Sequence, residues 1–148
     1  MNNRIFREYD IRGIVEEDFQ DKVVIDLGRA YGKYLLDNNQ NKISISGDIR
    51  YSTSKLKSNL INGLIESGID VYDLGILPTP VNYFSLFHTD IKNSIQITGS
   101  HNPKEYNGFK ISFKGKPFFG SDIRKIQDMM NKGSFQSNRK AKGSIRKL

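Results

Sequence analysis

Apolar residues recur along the chain with two spacings, one helical and one extended. In residues 21–38 and again in residues 56–65 they return every three or four positions, which predicts two amphipathic helices. Ser54 or a neighbour is placed to cap the second helix, and Gly68 stands where a helix commonly ends on glycine. A third helix is predicted from a Ser121 cap through Met130. Beyond it the chain loses its periodicity.

Four short runs predict strands: "NKISIS" at 41–46, "IDVYDLG" at 69–75, "NSIQIT" at 93–98 and "FKISF" at 109–113. Between the second and the third run, "LPTPVNYFSLFH" is typical of a loop that feeds a short helix, with Thr79 as its cap and Pro80 in its first turn. Strands and helices alternate, and crossover helices favour a parallel sheet covered on both faces. The predicted fold class is α/β, a three-layer α/β/α sandwich with a mixed, mostly parallel four-stranded sheet.

The segment "TGSHNPKEYNGFK", residues 98–110, separates two of these strands and is rich in turn-forming and polar residues. It begins at the carboxyl end of a strand, where open α/β sheets bind their ligands. Ser100 offers a hydroxyl, Gly99 lets the backbone bend, and Lys110 brings a cation back toward the loop. Asn107 and Gly108 favour positive φ. A serine among small residues beside a lysine suits a phosphoryl group, which needs donors and cations around it.

Two other interpretations of this segment compete with phosphate chemistry. A polar loop of this length is often only a connection between strands. A Ser-His-Asp hydrolase fits poorly, because Ser100 and His101 are sequence neighbours whose side chains diverge in extended backbone, and no G-x-S-x-G elbow surrounds the serine. His101 alone is better explained as a hydrogen-bonding loop residue than as a general base, and the only other histidine is His88.

The net charge of +7 makes nucleic acid a candidate partner, but the positive charge is unevenly placed. Residues 132–148 hold six of the 23 Lys and Arg residues and no Asp or Glu, so residues 1–131 carry 17 basic against 16 acidic residues. We interpret this tail as solvated or a linker, with nucleic-acid contact as the weaker alternative. The absence of cysteine excludes disulfides, zinc thiolates and thiol catalysis. No stretch is typical of a membrane span or a signal peptide, so a cytoplasmic protein without a membrane partner is expected.

Three motifs resemble those of the α-D-phosphohexomutases, in that family's order. "TGSHNPKEYNGFK" resembles the family's phosphoserine loop, T-[AG]-S-H-N-P-x-x-Y/D-N-G-x-K. "FREYDIRG" at 6–13 is similar to the family's opening F-R-x-Y-D-I-R-G, and "LGILPTPV" at 74–81 to its G-x-x-P-T-P. The resemblance covers essentially the whole chain, as the first of the family's four domains. Tyr106 and Gly99 in the loop are similar to the phosphomannomutase/phosphoglucomutase branch, which implies mannose or glucose 1- and 6-phosphates as substrates.

The resemblance implies a role for each residue of the loop and the opening motif. Ser100 would be phosphorylated in the active enzyme, would give its phosphoryl group to a hexose monophosphate, and would recover the other one from the bisphosphate. A phosphate oxygen on Ser100 would also ligate Mg²⁺. Lys110 would perform acid/base work near the reacting hydroxyl. Arg12 would hold the phosphoserine and the transferring phosphoryl group with its planar fork.

Further residues of the same motifs are implied to line or shape this site. Tyr9 would line the crevice, while His101 and Asn102 would shape the loop and approach substrate hydroxyls. Asp10 is better explained as an orienting partner of an arginine or of backbone amides than as a metal ligand. Glucose 1,6-bisphosphate would be the activator of the complete enzyme.

The chain also departs from the family's pattern. The family's V-G-R-D-x-R appears here as "ISGDIR" at 45–50, which keeps Asp48 and Arg50 but has Ser46 and Gly47 in place of the expected Gly and Arg. The charge that the family's arginine carries at this position is therefore absent here. The aspartate trio D-G-D-x-D of the family's Mg²⁺ site, its sugar-recognition loop and its last phosphate-binding loop do not occur in this sequence.

These departures predict a fragment. Residues 1–131 are interpreted as domain I of a phosphohexomutase, the phosphoserine domain, and residues 132–148 as a basic tail at the start of an interdomain linker. The partners expected are hexose phosphates and the remaining domains of the same polypeptide, and we expect the chain alone to be inactive. The alternative from another class is a non-catalytic domain that binds sugar phosphates or a protein.

Overall fold

The computed structural model describes residues 1–77, 90–99, 101–136 and 141–147. Ser100, His88, the segment 78–80 and the short helix predicted after Thr79 lie outside the described residues. Within those ranges a 3₁₀ turn (Asn3–Ile5) is followed by helices α1 (Val15–Asp18), α2 (Asp21–Asp37), α3 (Thr53–Glu66) and α4 (Ser121–Lys132).

The two helices predicted from apolar periodicity and the one predicted from the Ser121 cap are confirmed as α2, α3 and α4. Gly68 has a φ of +97° and follows the C-cap residue of α3, as predicted. The N-terminal caps differ from the prediction. Ser54 and Ser121 lie inside their helices, and the N-cap residues Ser52 and Gly120 make no side-chain capping hydrogen bond.

The described residues form one seven-stranded sheet of β1 (Ile11–Ile14), β2 (Lys42–Gly47), β3 (Asp70–Ile76), β4 (Ser94–Ile97), β5 (Tyr106–Phe113), β6 (Lys116–Pro117) and β7 (Ile145–Lys147). The strand order is β1-β5-β4-β2-β3-β7, with β6 paired to β5. β2 is parallel to β3 and β4, and β3 is parallel to β7. β5 is antiparallel to β1, β4 and β6, so six strands share one direction and β5 alone is reversed.

The α/β class and the mostly parallel, mixed sheet are confirmed, whereas the predicted count of four strands is too small. β1 escapes the sequence pattern because Arg12 and Gly13 interrupt its apolar residues, and β7 because all three of its side chains are exposed. The prediction for Asn107 and Gly108 is also wrong. Neither has positive φ, because both belong to β5 and pair with Gly13 and Arg12 of β1.

The two faces of the sheet differ in chemistry, although both are buried at its centre. One face carries apolar side chains that join α2, α3 and α4 in the core: Ile11, Ile43, Ile45, Val71, Ile95, Ile97, Phe109 and Ile111. The other face carries the buried polar residues Ser44, Ser46, Ser94 and Gln96. Burial on both faces is typical of parallel α/β sheets.

Tyr31 of α2 is an unsatisfied polar group inside the core. Its ring is fully buried and packs edge-to-face on Phe118 at 5.5 Å. Its hydroxyl has no hydrogen-bond partner among the described residues. Burial raises the pKa of Tyr31 well above its ordinary value, and the charges of Tyr34 and Asp122 add to the rise.

We expect Tyr31→Phe to raise the free energy of unfolding by about 1 kcal/mol, because it removes a buried donor that lacks a partner and keeps the ring. Denaturant unfolding of the two chains measures the difference. Tyr51→Phe makes the same change at a fully exposed position and is the control, which should leave stability unchanged. A loss of stability in Tyr31→Phe would show that the hydroxyl has a partner after all.

Part of the basic tail is ordered. Strand β7 pairs with β3, and Ser144 donates its backbone N–H to Asp70 Oδ1 at 2.9 Å. Arg146 lies over the ring of Tyr72, 6.0 Å from its centre. The division at residue 131 stays a prediction. None of the helices in the described ranges is long and apolar enough to cross a membrane.

Candidate active site

Three neighbouring strands bring Arg12 level with the point where the predicted loop begins. Ile97 of β4 pairs with Phe109 of β5, and the backbone N–H of Thr98 donates to Gly108 O at 2.9 Å. Gly108 in turn pairs with Arg12 of β1. Thr98, Gly108 and Arg12 therefore form one row across the sheet, at the point where β4 ends and the segment 98–105, called the Ser100 loop below, begins.

Lys110 shares a face of the sheet with Arg12. It pairs with Gln96, on the polar face, and stands two residues after Gly108 in β5. Arg12 and Lys110 are thus diagonal neighbours on antiparallel strands, within reach of long side chains. Gly108 between them leaves room for this approach, since a Cβ there would lie 3.2 Å from Arg12 Cβ and 2.5 Å from Ile11 O.

The guanidinium of Arg12 is partly buried and incompletely paired. Its Nε is buried and has no hydrogen-bond partner among the described residues. Asp10 Oδ1 lies 3.9 Å from this Nε, which is an ion pair but is too long for a hydrogen bond. Asp10 thus lies within ion-pair distance of Arg12, and its orienting role stays a prediction.

The predicted loop residues differ in how they are held. Asn102 is bound to Gly99, because both its backbone N–H and its Nδ2 donate to Gly99 O at 3.0 Å. His101 is exposed. Tyr9 is also exposed, and its ring stacks on Phe119 at 6.0 Å. The structure thus brings Arg12, Lys110 and Asn102 to one edge, with His101 and Tyr9 open to solvent.

The turn between β2 and α3 holds the Ser100 loop, a role that sequence reasoning missed. Asp48 Oδ2 accepts from the backbone N–H of Gly99 at 3.0 Å, and Asp48 Oδ1 accepts from Thr53 Oγ1 at 2.8 Å. Burial acts to raise the pKa of Asp48, but the hydrogen bonds from Thr53, from the backbone of Arg50 and Gly99, and from Thr98 outweigh it and lower that pKa. Arg50 donates to three carbonyl oxygens of the loop and of the start of β5.

The sequence does contain a signal for this turn. An Asp-x-Arg follows directly after the buried strand β2, and β2 is the neighbour of the strand that precedes the loop. Carboxyl ends of adjacent parallel strands meet at one edge, so their following residues come together. The departure at Gly47 also has a local explanation, since a Cβ there would lie 2.3 Å from Thr53 Cγ2.

The described residues contain no group of three or more His, Asp or Glu side chains that could hold a metal ion. Asp48, the carboxylate bound to the loop, has both oxygens engaged in hydrogen bonds. The donor set of these residues therefore does not fit a Mg²⁺ site by itself.

Comparison with known proteins identifies the family. The profile described as "Phosphoglucomutase/phosphomannomutase, alpha/beta/alpha domain I" matches residues 3–137. A phosphomannomutase of Klebsiella pneumoniae is 37% identical over 132 residues, which are 88% of this chain and 82% of that protein. The chain belongs to the phosphoglucomutase/phosphomannomutase family.

Other members of the phosphoglucomutase/phosphomannomutase family are much longer. A phosphomannomutase of Salmonella montevideo is 38% identical over 152 residues, which cover 100% of this chain and 33% of that protein. The crystal structure of a family protein from Burkholderia thailandensis superimposes with a TM-score of 0.92 at 31% identity, again over 100% of this chain and 33% of the other. The chain thus spans about a third of the length of these relatives.

Proposed function

We propose that this chain is the phosphoserine domain of a phosphomannomutase/phosphoglucomutase that interconverts hexose 1-phosphate and hexose 6-phosphate. Ser100 carries the phosphoryl group. A sugar hydroxyl attacks the phosphorus of phosphoserine 100, the bond to Oγ breaks, and Oγ takes up a proton as the hydroxyl loses one. The resulting bisphosphate reorients in the site and returns its other phosphoryl group to Ser100 by the reverse step.

The observation that carries this proposal is the buried Nε of Arg12 without a hydrogen-bond partner among the described residues. A buried donor that lacks an acceptor costs about 1–3 kcal/mol, so such a group favours a bound acceptor. Arg12 lies in the row of Thr98, two residues before Ser100 in the chain. A phosphate dianion on Ser100 would supply oxygens that match the planar fork of a guanidinium.

Lys110 supplies the second cation of the proposed site. It is exposed and lies on the same face as Arg12, two residues along β5 from Gly108, the residue that pairs with Arg12. We assign it the transfer of the proton between the sugar hydroxyl and Ser100 Oγ. Asn102 shapes the turn, and His101 and Tyr9, both open to solvent, are proposed to meet the hexose phosphate.

The rest of the catalytic apparatus is proposed to come from other domains of a longer polypeptide. Carboxylates from elsewhere would join a phosphate oxygen of Ser100 around Mg²⁺, which would offset negative charge on the transferring group. Glucose 1,6-bisphosphate would load the serine. We propose that the 148 residues alone have negligible turnover, since positioning and fixed charge supply most of the rate in phosphoryl transfer.

The titration of phosphoserine 100 tests the proposed anion site in this chain without other domains. Phosphoserine is installed genetically at position 100, and its phosphorus resonance is followed against pH. Free phosphoserine has a second pKa of about 6. We expect about 5 in the folded chain, because two nearby cations favour the dianion.

Arg12→Gln and Lys110→Gln should each return this pKa toward that of free phosphoserine. Arg29→Gln is the charge-matched control, because it removes an arginine of α2 that is paired with Glu66 of α3. It should leave the phosphoserine pKa unchanged. A wild-type pKa equal to that of free phosphoserine, which none of these substitutions moves, would refute the proposed site.

A further inference from the structure

One arginine holds the Ser100 loop by its main chain. Arg50 Nη2 donates to Asn102 O at 2.6 Å, and Arg50 Nη1 donates to Pro103 O at 2.6 Å and to Tyr106 O at 3.1 Å. These acceptors span the loop from the residues just after position 100 to the first residue of β5. The Arg50 side chain is only 18% exposed, so the contacts are largely shielded from water.

The neighbouring Asp48 holds the other side of position 100. Its backbone N–H donates to Ile97 O at 2.9 Å, and its Oδ2 accepts from the Gly99 N–H. The same Oδ2 lies 3.5 Å from Arg50 Nε. Asp48 thus fixes the residue before Ser100 and orients the arginine that fixes the residues after it.

The geometry requires an arginine and not merely a positive charge. Three carbonyl oxygens from different peptide groups converge on one planar guanidinium, which presents five donors in a fixed arrangement. A lysine ammonium at the end of a flexible stem cannot meet the same set. The guanidinium also packs directly on the Cα of Gly99, where a Cβ would lie 2.2 Å from Arg50 Cζ.

We propose that Arg50, oriented by Asp48, is a positioning residue that fixes the Ser100 loop for phosphorylation, an inference that rests on the proposed function. Carbonyl oxygens carry partial negative charge and would repel a phosphate dianion. The guanidinium engages three of them and keeps them directed toward the β2–α3 turn. In this proposal the loop holds Ser100 near Arg12 and Lys110 before phosphorylation, so the loop does not have to reorganise when the phosphate adds its negative charge.

The test compares Arg50→Lys with Arg29→Lys. The second variant makes the same substitution at an arginine that binds Asp26 of α2 and Glu66 of α3. The first measurement is amide hydrogen exchange of the 148-residue chain. We expect Arg50→Lys to speed exchange of the Gly99, Asn102 and Tyr106 amides at least about tenfold and to leave β2 and β3 unchanged. Arg29→Lys should not affect these loop amides.

The second measurement separates positioning from charge. In chains that carry phosphoserine 100, Arg50→Lys keeps the charge but should shift the phosphoserine pKa back toward that of the free amino acid, because the loop no longer holds the phosphate beside Arg12 and Lys110. Asp48→Asn should loosen the Gly99 amide in the same way, which keeps the proposal testable if Arg50→Lys fails to fold.

Unchanged loop exchange in Arg50→Lys and Asp48→Asn would overturn the proposal, as would faster exchange throughout the chain. A phosphoserine pKa that stays lowered in Arg50→Lys would overturn it too, because the phosphate would then be positioned without the arginine. A wild-type phosphoserine pKa equal to that of the free amino acid would instead refute the proposed function itself, whatever the exchange rates show, so the two failures are distinguishable.

Discussion

Replacing Ser100 by alanine will reduce the interconversion of mannose 1-phosphate and mannose 6-phosphate by at least about 10³-fold. The assay uses a chimera in which residues 1–148 replace the matched third of the Salmonella montevideo relative. The expected loss is large because the substitution removes the oxygen on which the proposed covalent intermediate forms, and neighbouring groups cannot substitute for that bond. Initial rates with glucose 1,6-bisphosphate present measure the effect.

Ser58→Ala is the matched control, since Ser58 is an exposed serine of α3. It should keep the rate of the unsubstituted chimera. A folded chimera that retains activity without the Ser100 hydroxyl would contradict the proposed role of this serine. A folded but inactive unsubstituted chimera would contradict the assignment of the chain as the family's catalytic phosphoserine domain.

Gly63→Ala will lower the free energy of unfolding by about 2 kcal/mol. A Cβ at Gly63 would lie 2.1 Å from Ile25 O and 2.9 Å from the Cα of Gly28, so α2 and α3 would have to separate. Because the obstructing atoms belong to a helix backbone, they cannot move aside as a side chain can. The overlap therefore outweighs the better helix propensity of alanine, which is worth about 1 kcal/mol.

Denaturant unfolding checks this expectation, with Asn62→Ala as the control on the exposed side of the same helix. The control should be neutral or slightly stabilising, because only helix propensity changes there. Equal or greater stability in Gly63→Ala would mean that the two helices are not in contact through this glycine.

Features with strong local signals could be predicted from the sequence. The apolar periodicity of α2 and α3 marks the faces that become buried, and the alternation in β2 and β4 places them in the sheet. The motif residues Arg12 and Lys110 are distant in sequence, yet the structure brings them to one face because β1 pairs with β5.

Features that depend on tertiary pairing could not be predicted. β1 and β7 have little apolar pattern of their own and are strands because a neighbouring strand offers hydrogen bonds. Asn107 has the composition of a turn residue, but its side chain donates to Ser52 Oγ and Thr53 Oγ1 and joins the start of β5 to α3. Arg50 stands out in the sequence only as part of a motif. Its hydrogen bonds to the Ser100 loop could not be predicted, because the carbonyl partners lie far along the chain, after two further strands.

The measurement that tests the central claim most directly is the location of the phosphate on the working chimera. The protein is incubated with glucose 1,6-bisphosphate, and its intact mass is measured. Peptide mass spectrometry then locates the phosphate. We predict one phosphate on the peptide that contains Ser100, and its loss when excess mannose 1-phosphate is added. Turnover with Ser100 unmodified, or with the phosphate on another residue, would contradict a covalent role for this serine.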